Sequence, residues 1–266
     1  MAEDIPREER MVVYTVPGMV EIATRQNLVY RVDDGQELLL DAYLSPQAQP
    51  GDVLPGVIFI HGGPVPAEWA VKDRGQYRSW GPLAAASGFV AFTFNHRYHA
   101  PEHLPQSVED VVAAIAYVRE NAATFSLDPD RLCLWTCSGG GPHITFALRE
   151  QPNYVRCLVI YYAILDLRPV DFLVEALGEQ SCQQYSPLMA IESGPVRFPI
   201  FIARAGLDHP GLNQTIEAFV AQALQVNTTL ELMNHPQGHH GFDIMDDDAR
   251  SRHILARTLA FMEENC

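Results

Sequence analysis

The stretch Leu132-Cys133-Leu134-Trp135 is apolar throughout and runs directly into Thr136-Cys137-Ser138-Gly139-Gly140-Gly141. Four such residues predict a buried strand. The glycine cluster predicts a sharp turn from that strand into a helix, because only residues without a Cβ let the backbone pass so closely. A serine at such a turn is lifted above the sheet, which makes Ser138 the first candidate nucleophile. Thr136 stands where the pattern G-x-S-x-G has its first glycine, and Gly140 fills the second. In isolation an S-G-G-G run is more often a plain helix start, so its surroundings decide the reading.

Three further signals follow in a meaningful order. His61-Gly62-Gly63-Pro64 comes after the β-branched run Gly56-Val57-Ile58-Phe59-Ile60. Gly62 and Gly63, with the N–H of Gly139, are the candidate oxyanion-hole donors, while His61 is expected to brace the loop. Asp208 lies just beyond the strand-like Pro199-Ile200-Phe201-Ile202-Ala203, where a carboxylate could orient an imidazole. His240, in Gly238-His239-His240-Gly241-Phe242, follows another strand-like run and is preferred over its neighbour His239. The order Ser138, Asp208, His240 differs from the orders of the two protease classes that use the same three groups.

With these pieces in place the chain resembles the α/β-hydrolase superfamily, in particular carboxylesterases of the hormone-sensitive-lipase and dienelactone-hydrolase-like groups. Phe94-Asn95-His96-Arg97-Tyr98-His99-Ala100-Pro101-Glu102-His103 is similar to the family's D-Y-R-L-A-P-E-H segment. Ser107-Val108-Glu109-Asp110 resembles the E-D-V opening of the next helix, and Asp128-Pro129-Asp130-Arg131 the D-P-x-R-I lead into the elbow strand. Asn95 replaces a common aspartate. Pro64 replaces the third glycine of H-G-G-G, which removes one backbone N–H and is similar to the H-G-G-P of prolyl-oligopeptidase-like hydrolases.

The resemblance implies an α/β-hydrolase fold: a mostly parallel sheet with helices on both faces. Strands are expected near residues 38–44, 57–60, 89–94, 131–135, 157–162, 200–205 and 229–233. Val108, Val111, Val112, Ile115 and Val118 follow helical spacing before Asn121 and predict a helix packed on the sheet. The whole chain, 1–266, is read as one domain, with residues 1–30 an N-terminal extension and residues 167–195 a small cap. Trp69, Tyr77 and Trp80 are the candidate lining of a substrate pocket, with ordinary packing an equal alternative.

Composition sets the outer limits. An apolar content of 47% can fill a core for 266 residues, and a formal charge of -15 disfavours nucleic acid as a partner. Met1 to Arg10 lacks the apolar core of a signal peptide, and no stretch of about 18 apolar residues suggests a membrane span. A cytoplasmic protein with a small-molecule ester as its partner is expected, and a homodimer is open. Cys133, Cys157, Cys182 and Cys266 are expected as reduced thiols. Cys137 is a poor nucleophile candidate, because Trp135 then occupies the upstream glycine position. No cofactor is implied. Neither His96, His99 and His103 nor His235, His239 and His240 has a zinc-binding pattern such as H-E-x-x-H.

The expected chemistry is serine hydrolysis of carboxylic esters through an acyl-enzyme, with Asp166 held in reserve for Asp208 as the acid. The same machinery could serve a lactone or a small amide such as an arylformamide. A silent binding module on the same fold is the reading from a different class.

Overall fold

The computed structural model describes residues 5–45, 48 and 51–266; Met1 to Asp4, the start of the expected extension, lie outside the described residues. Its frame is one eight-stranded sheet of β1 (Ala23–Asp33), β2 (Gln36–Leu44), β3 (Leu54–Ile60), β4 (Val90–Phe94), β5 (Leu127–Cys137), β6 (Val155–Tyr161), β7 (Ile200–Ala205) and β8 (Leu230–His235). The spatial order is β1-β2-β4-β3-β5-β6-β7-β8. β1, β2 and β4 pair antiparallel, and every pair from β4–β3 onward is parallel. Parallel strands need crossovers, and the helices that supply them cover both faces.

Alternation along β5 shows how the two faces are filled. Leu132 and Leu134 point into one apolar cluster, shared with Val111, Ile115 and Val118 of helix Leu104–Glu120 and with Ile216 and Phe219 of helix Pro210–Gln225. Cys133, Trp135 and Cys137 point into the other, shared with Trp80 and Leu83 of helix Gly75–Ala86 and with Ile254 and Leu255 of helix Ala249–Asn265. A strand buried on both faces reads as continuous apolar sequence, as the Leu132–Trp135 part of β5 does.

Three expectations change here. β1 falls largely within the stretch read as an extension, and it adds an edge strand to the sheet. On helix Leu104–Glu120 the buried stripe is Val111, Ala114, Ile115 and Val118, whereas Val112 is 42% exposed. Ala114 completes the i, i+3, i+4, i+7 row that Val112 had seemed to share. Residues 167–195 hold three short helices, Asp171–Leu177, Glu179–Tyr185 and Pro187–Ala190. Leu167, Leu173 and Cys182 pack there against Tyr98 and Leu104 in a satellite cluster, and no residue of 167–195 lines the cleft above Ser138.

Candidate functional site

β5 ends at Cys137, and Ser138 begins a 3₁₀ turn that runs to Ile144 before the α-helix Thr145–Glu150. Ser138 has φ of 55°, a left-handed conformation that costs an ordinary residue energy and that surrounding structure must hold in place. The glycines after it are held by backbone. A methyl group on Gly139 would sit 1.8 Å from the Gly63 carbonyl oxygen, and one on Gly141 would sit 2.0 Å from that of Ile164. Gly140 would meet the Thr136 hydroxyl at 2.5 Å and the His61 carbonyl oxygen at 2.8 Å. Threonine at the first motif position is accommodated because Gly140 across from it has no side chain.

The structure brings Ser138, His240 and Asp208 together from three separate elements. Ser138 Oγ lies 2.8 Å from His240 Nε2, and Asp208 Oδ2 lies 2.6 Å from His240 Nδ1. Asp208 Oδ1 accepts the N–H of His209 at 2.7 Å, and its side chain is only 5% exposed. Since a carboxylate only accepts, Nδ1 carries the proton and Nε2 is free to accept from the serine. His239 turns away to Asp246, at 2.9 Å. Asp166 is also elsewhere: it accepts Nε and Nη2 of Arg168, both at 2.8 Å, and the hydroxyl of Ser186.

The loop after β3 lies against this turn. A methyl group on Gly62 would come within 2.8 Å of Ser138 Cβ, and one on Gly139 within 2.9 Å of Gly63 N. The Gly63 N–H donates to no acceptor among the described residues, and Gly139 lies in the first turn of a helix, where N–H groups lack intrahelical partners. The Gly62 N–H likewise donates to no acceptor among the described residues, so all three glycines singled out in the sequence have backbone donors to offer at this junction.

Three buried histidines support the loop from below. His61 accepts the His96 N–H at Nε2, 3.3 Å, so its Nδ1 donates to the Gly62 carbonyl oxygen at 2.7 Å. The rings of His61 and His96 stack with centroids 3.5 Å apart, and His143 packs on His96 while its Nε2 meets Ser107 Oγ at 2.8 Å. Burial pushes His61 down to about 4 and His143 to about 3, and holds His96 well below the usual histidine range. Neutral rings can stack where charged ones would repel. Arg97 fixes the neighbouring loop through two side-chain bonds, of 2.9 and 2.6 Å, to the fully buried Asp110. Tyr98 beside it covers Gly63, and its carbonyl oxygen accepts the Val65 N–H at 3.0 Å.

The cleft above Ser138 encloses about 410 Å³ and is lined by Trp69, Val71, Gln76, Tyr77, Tyr162 and the glycine loop, with Arg7, Glu8 and Arg74 among its charged residues. Trp69 is 42% exposed at its edge. Trp80 does not reach it. Its ring is fully buried between Phe59 and Trp135, because it lies on the sheet-facing side of helix Gly75–Ala86. Tyr77 lies deep in the cleft with its hydroxyl 3.4 Å from Cys137 Sγ. Burial pushes that thiol up to about 12, which leaves it protonated and unreactive.

A network that the sequence did not announce lies behind His240. Tyr162 donates to Asp243 Oδ1 at 2.5 Å, and Gln76 Nε2 donates to Asp243 Oδ2 at 2.9 Å and to the Tyr162 hydroxyl at 3.0 Å. Burial raises the carboxyl of Asp243, while both donors pull it back. The Tyr162 ring meets His240 edge to face with centroids 4.8 Å apart. Its three members come from distant parts of the chain, so no local pattern could have revealed them.

Of the histidines weighed as metal ligands, His235 meets Ser251, His239 meets Asp246, and His99 faces the Val65 carbonyl oxygen. All five cysteines are unpaired, with Cys157 and Cys266 sulfurs 3.4 Å apart. Among the described residues no helix is long and apolar enough to cross a membrane.

A mostly parallel eight-stranded sheet, with a serine on a strained turn after β5 and a histidine and an aspartate after β8 and β7, is the architecture of the α/β-hydrolase fold. The chain has that fold, and the curated proteins it resembles include named esterases. Residues 40–150 match the BD-FAE family model. The chain is 24% identical over 255 residues to esterase LipQ of Mycobacterium tuberculosis, covering 86% of this chain and 59% of that protein. It is 25% identical over 257 residues to esterase LipC of the same organism, with coverage of 84% and 60%. It therefore spans about three-fifths of the length of these relatives. Among solved structures, the propionate-bound esterase Est2 of Thermogutta terrifontis superposes with a TM-score of 0.75 at 21% identity, over 93% of this chain and 96% of that one.

Proposed function

We propose that the protein is a serine hydrolase that cleaves carboxylic esters of small to medium size. The observation that carries this reading is the continuous hydrogen-bonded line from Ser138 Oγ through His240 to Asp208, with contacts of 2.8 and 2.6 Å. A serine hydroxyl is a weak nucleophile until a base removes its proton, and His240 Nε2 is the base within reach. As Ser138 attacks the ester carbonyl, His240 takes the proton and Asp208 stabilises the resulting imidazolium. The oxyanion then lies against the N–H groups of Gly63 and Gly139; losing one such donor in other enzymes costs about 10² to 10³ in rate. His240 next protonates the leaving alcohol. Water, deprotonated by the same histidine, attacks the acyl-enzyme to release the acid and free serine. The cytoplasm is the compartment we propose, on the strength of five unpaired thiols.

The experiment is covalent labelling with a fluorophosphonate probe and location of the adduct by peptide mass spectrometry. Labelling at Ser138, absent in Ser138→Ala and weakened in His240→Ala, is expected. A folded wild-type protein that takes up no probe would overturn the reading.

A further inference from the structure

The protein carries a net charge of -15, yet two guanidinium groups, Arg7 and Arg74, line the same cleft as Ser138 and His240. Elsewhere among the described residues some arginines, such as Arg119, Arg204 and Arg257, are paired with carboxylates, and others, such as Arg25 over the Phe125 ring, are not. Among the described residues Arg7 and Arg74 form no ion pair. Arg7 Nη2 reaches only the His240 carbonyl oxygen, at 3.5 Å, and the Arg74 guanidinium stacks over the Trp69 ring at 3.6 Å.

The acidic groups nearby do not neutralise them. Asp208 is engaged by His240, and the buried Asp243 by Tyr162 and Gln76. Glu8 and Glu9, exposed near Arg74, pair with neither arginine among the described residues, and Asp73 pairs with Lys72. The amino end of helix Gly75–Ala86 opens beside Arg74, adding partial positive charge on the same side. A guanidinium stacked on an aromatic face keeps its in-plane N–H groups available, and that fork matches a carboxylate.

We propose that the ester cleaved at this site carries a carboxylate of its own, held by Arg74 with Arg7 contributing from beside the His240 loop. This rests on the hydrolase reading above. The substrate class is then an anionic ester, such as the monoester of a dicarboxylic acid or the ester of a hydroxy acid. The cleft fits such a molecule in offering apolar lining, Val65, Val71 and Tyr77, together with the serine and the two guanidinium groups.

The test compares matched esters with and without the charge. One pair is the mono-p-nitrophenyl ester of adipic acid and its methyl-capped diester, followed by p-nitrophenolate release. The second is 4-carboxyphenyl butyrate and its methyl ester, which moves the charge to the alcohol side. At low salt the anionic member of at least one pair should have kcat/KM about tenfold higher, roughly the value of one charge-assisted hydrogen bond. Arg74→Gln should bring that ratio close to one, Arg74→Glu should invert it, and 0.5 M salt should shrink it in the wild type. Arg7→Gln should lower the ratio by a smaller factor. Turnover in which the neutral member is equal or better in both pairs overturns the inference alone, as does a ratio untouched by Arg74→Gln. No turnover of any ester, together with no fluorophosphonate adduct on Ser138, overturns the hydrolase reading and this inference with it.

Discussion

Replacing Asp208 by asparagine changes one oxygen into an NH2 group, and the two bonds of that carboxylate determine the outcome. Oδ1 accepts the His209 N–H at 2.7 Å, and Oδ2 accepts the His240 Nδ1 proton at 2.6 Å. If the amide oxygen stays on His209, its NH2 faces Nδ1, and the ring keeps a bond only by shifting its proton to Nε2. Nε2–H then points at Ser138 Oγ from 2.8 Å and cannot accept the serine proton. The flipped amide places two donors 2.7 Å apart at His209 and is disfavoured. In both orientations the imidazolium loses its neighbouring negative charge. The equivalent change in a serine protease costs about 10⁴ in kcat, or about 5 kcal/mol of barrier. We expect a loss of about 10³ to 10⁴ in kcat for p-nitrophenyl acetate, with an unchanged circular-dichroism spectrum. Asp166→Asn is the control: its partners are Arg168 and Ser186, so it should cost about 1–3 kcal/mol of stability and little turnover. If Asp208→Asn retains turnover within about tenfold of wild type, or Asp166→Asn is the more damaging change, the assignment of the acid is wrong.

Gly139→Ala should abolish Ser138 labelling and destabilise the protein by about 3 kcal/mol or more, because the new methyl group meets the Gly63 carbonyl oxygen at 1.8 Å; a stable, labelled variant would contradict the packing. Tyr162→Phe removes one donor from the fully buried Asp243 and should lower stability in urea by about 1–3 kcal/mol, with an unchanged midpoint counting against the network. The buried histidines predict a pH effect. Their folded pKa values lie below the unfolded value near 6.5, so the unfolded chain takes up protons that the folded one refuses, and their contribution is lost as pH falls from about 6.5 through about 4. For His61 that amounts to about 3 kcal/mol. NMR should find three imidazoles that do not titrate above pH 5, and titration of all ten histidines near 6.5 would refute the neutral stack.

Local pattern carried the central sheet well. Runs such as Val57–Ile60 and Leu132–Trp135 are buried on both faces and read as continuous apolar sequence. β1 escaped because it is an edge strand: among its polar residues Arg25, Gln26 and Asn27, only Tyr30 is buried, and two irregularities in its pairing with β2 break the alternation. Ser138, Asp208 and His240 were legible because each sits beside a strand end with a recognisable neighbour, Gly139, Gly206 or Gly241. Tyr162, Asp243 and Gln76 had no such neighbour, and Arg7 joins the cleft only because the fold returns the chain start to the loop of His240. Aromatic residue type alone could not separate Trp69 from Trp80; one ends up on a loop and the other on the inner face of a helix.

The three glycines after Ser138 also set terms for anyone diversifying this protein in the laboratory. Each one abuts a main-chain oxygen, of Gly63, His61 or Ile164 respectively, and a main-chain oxygen cannot be trimmed by substituting the residue that bears it. Second-site suppressors should therefore be absent from any selection that starts with a side chain at 139, 140 or 141. A combinatorial library gains nothing by sampling those codons, and its diversity belongs at Trp69, Arg74 and Gln76, where the walls of the cleft are made of side chains.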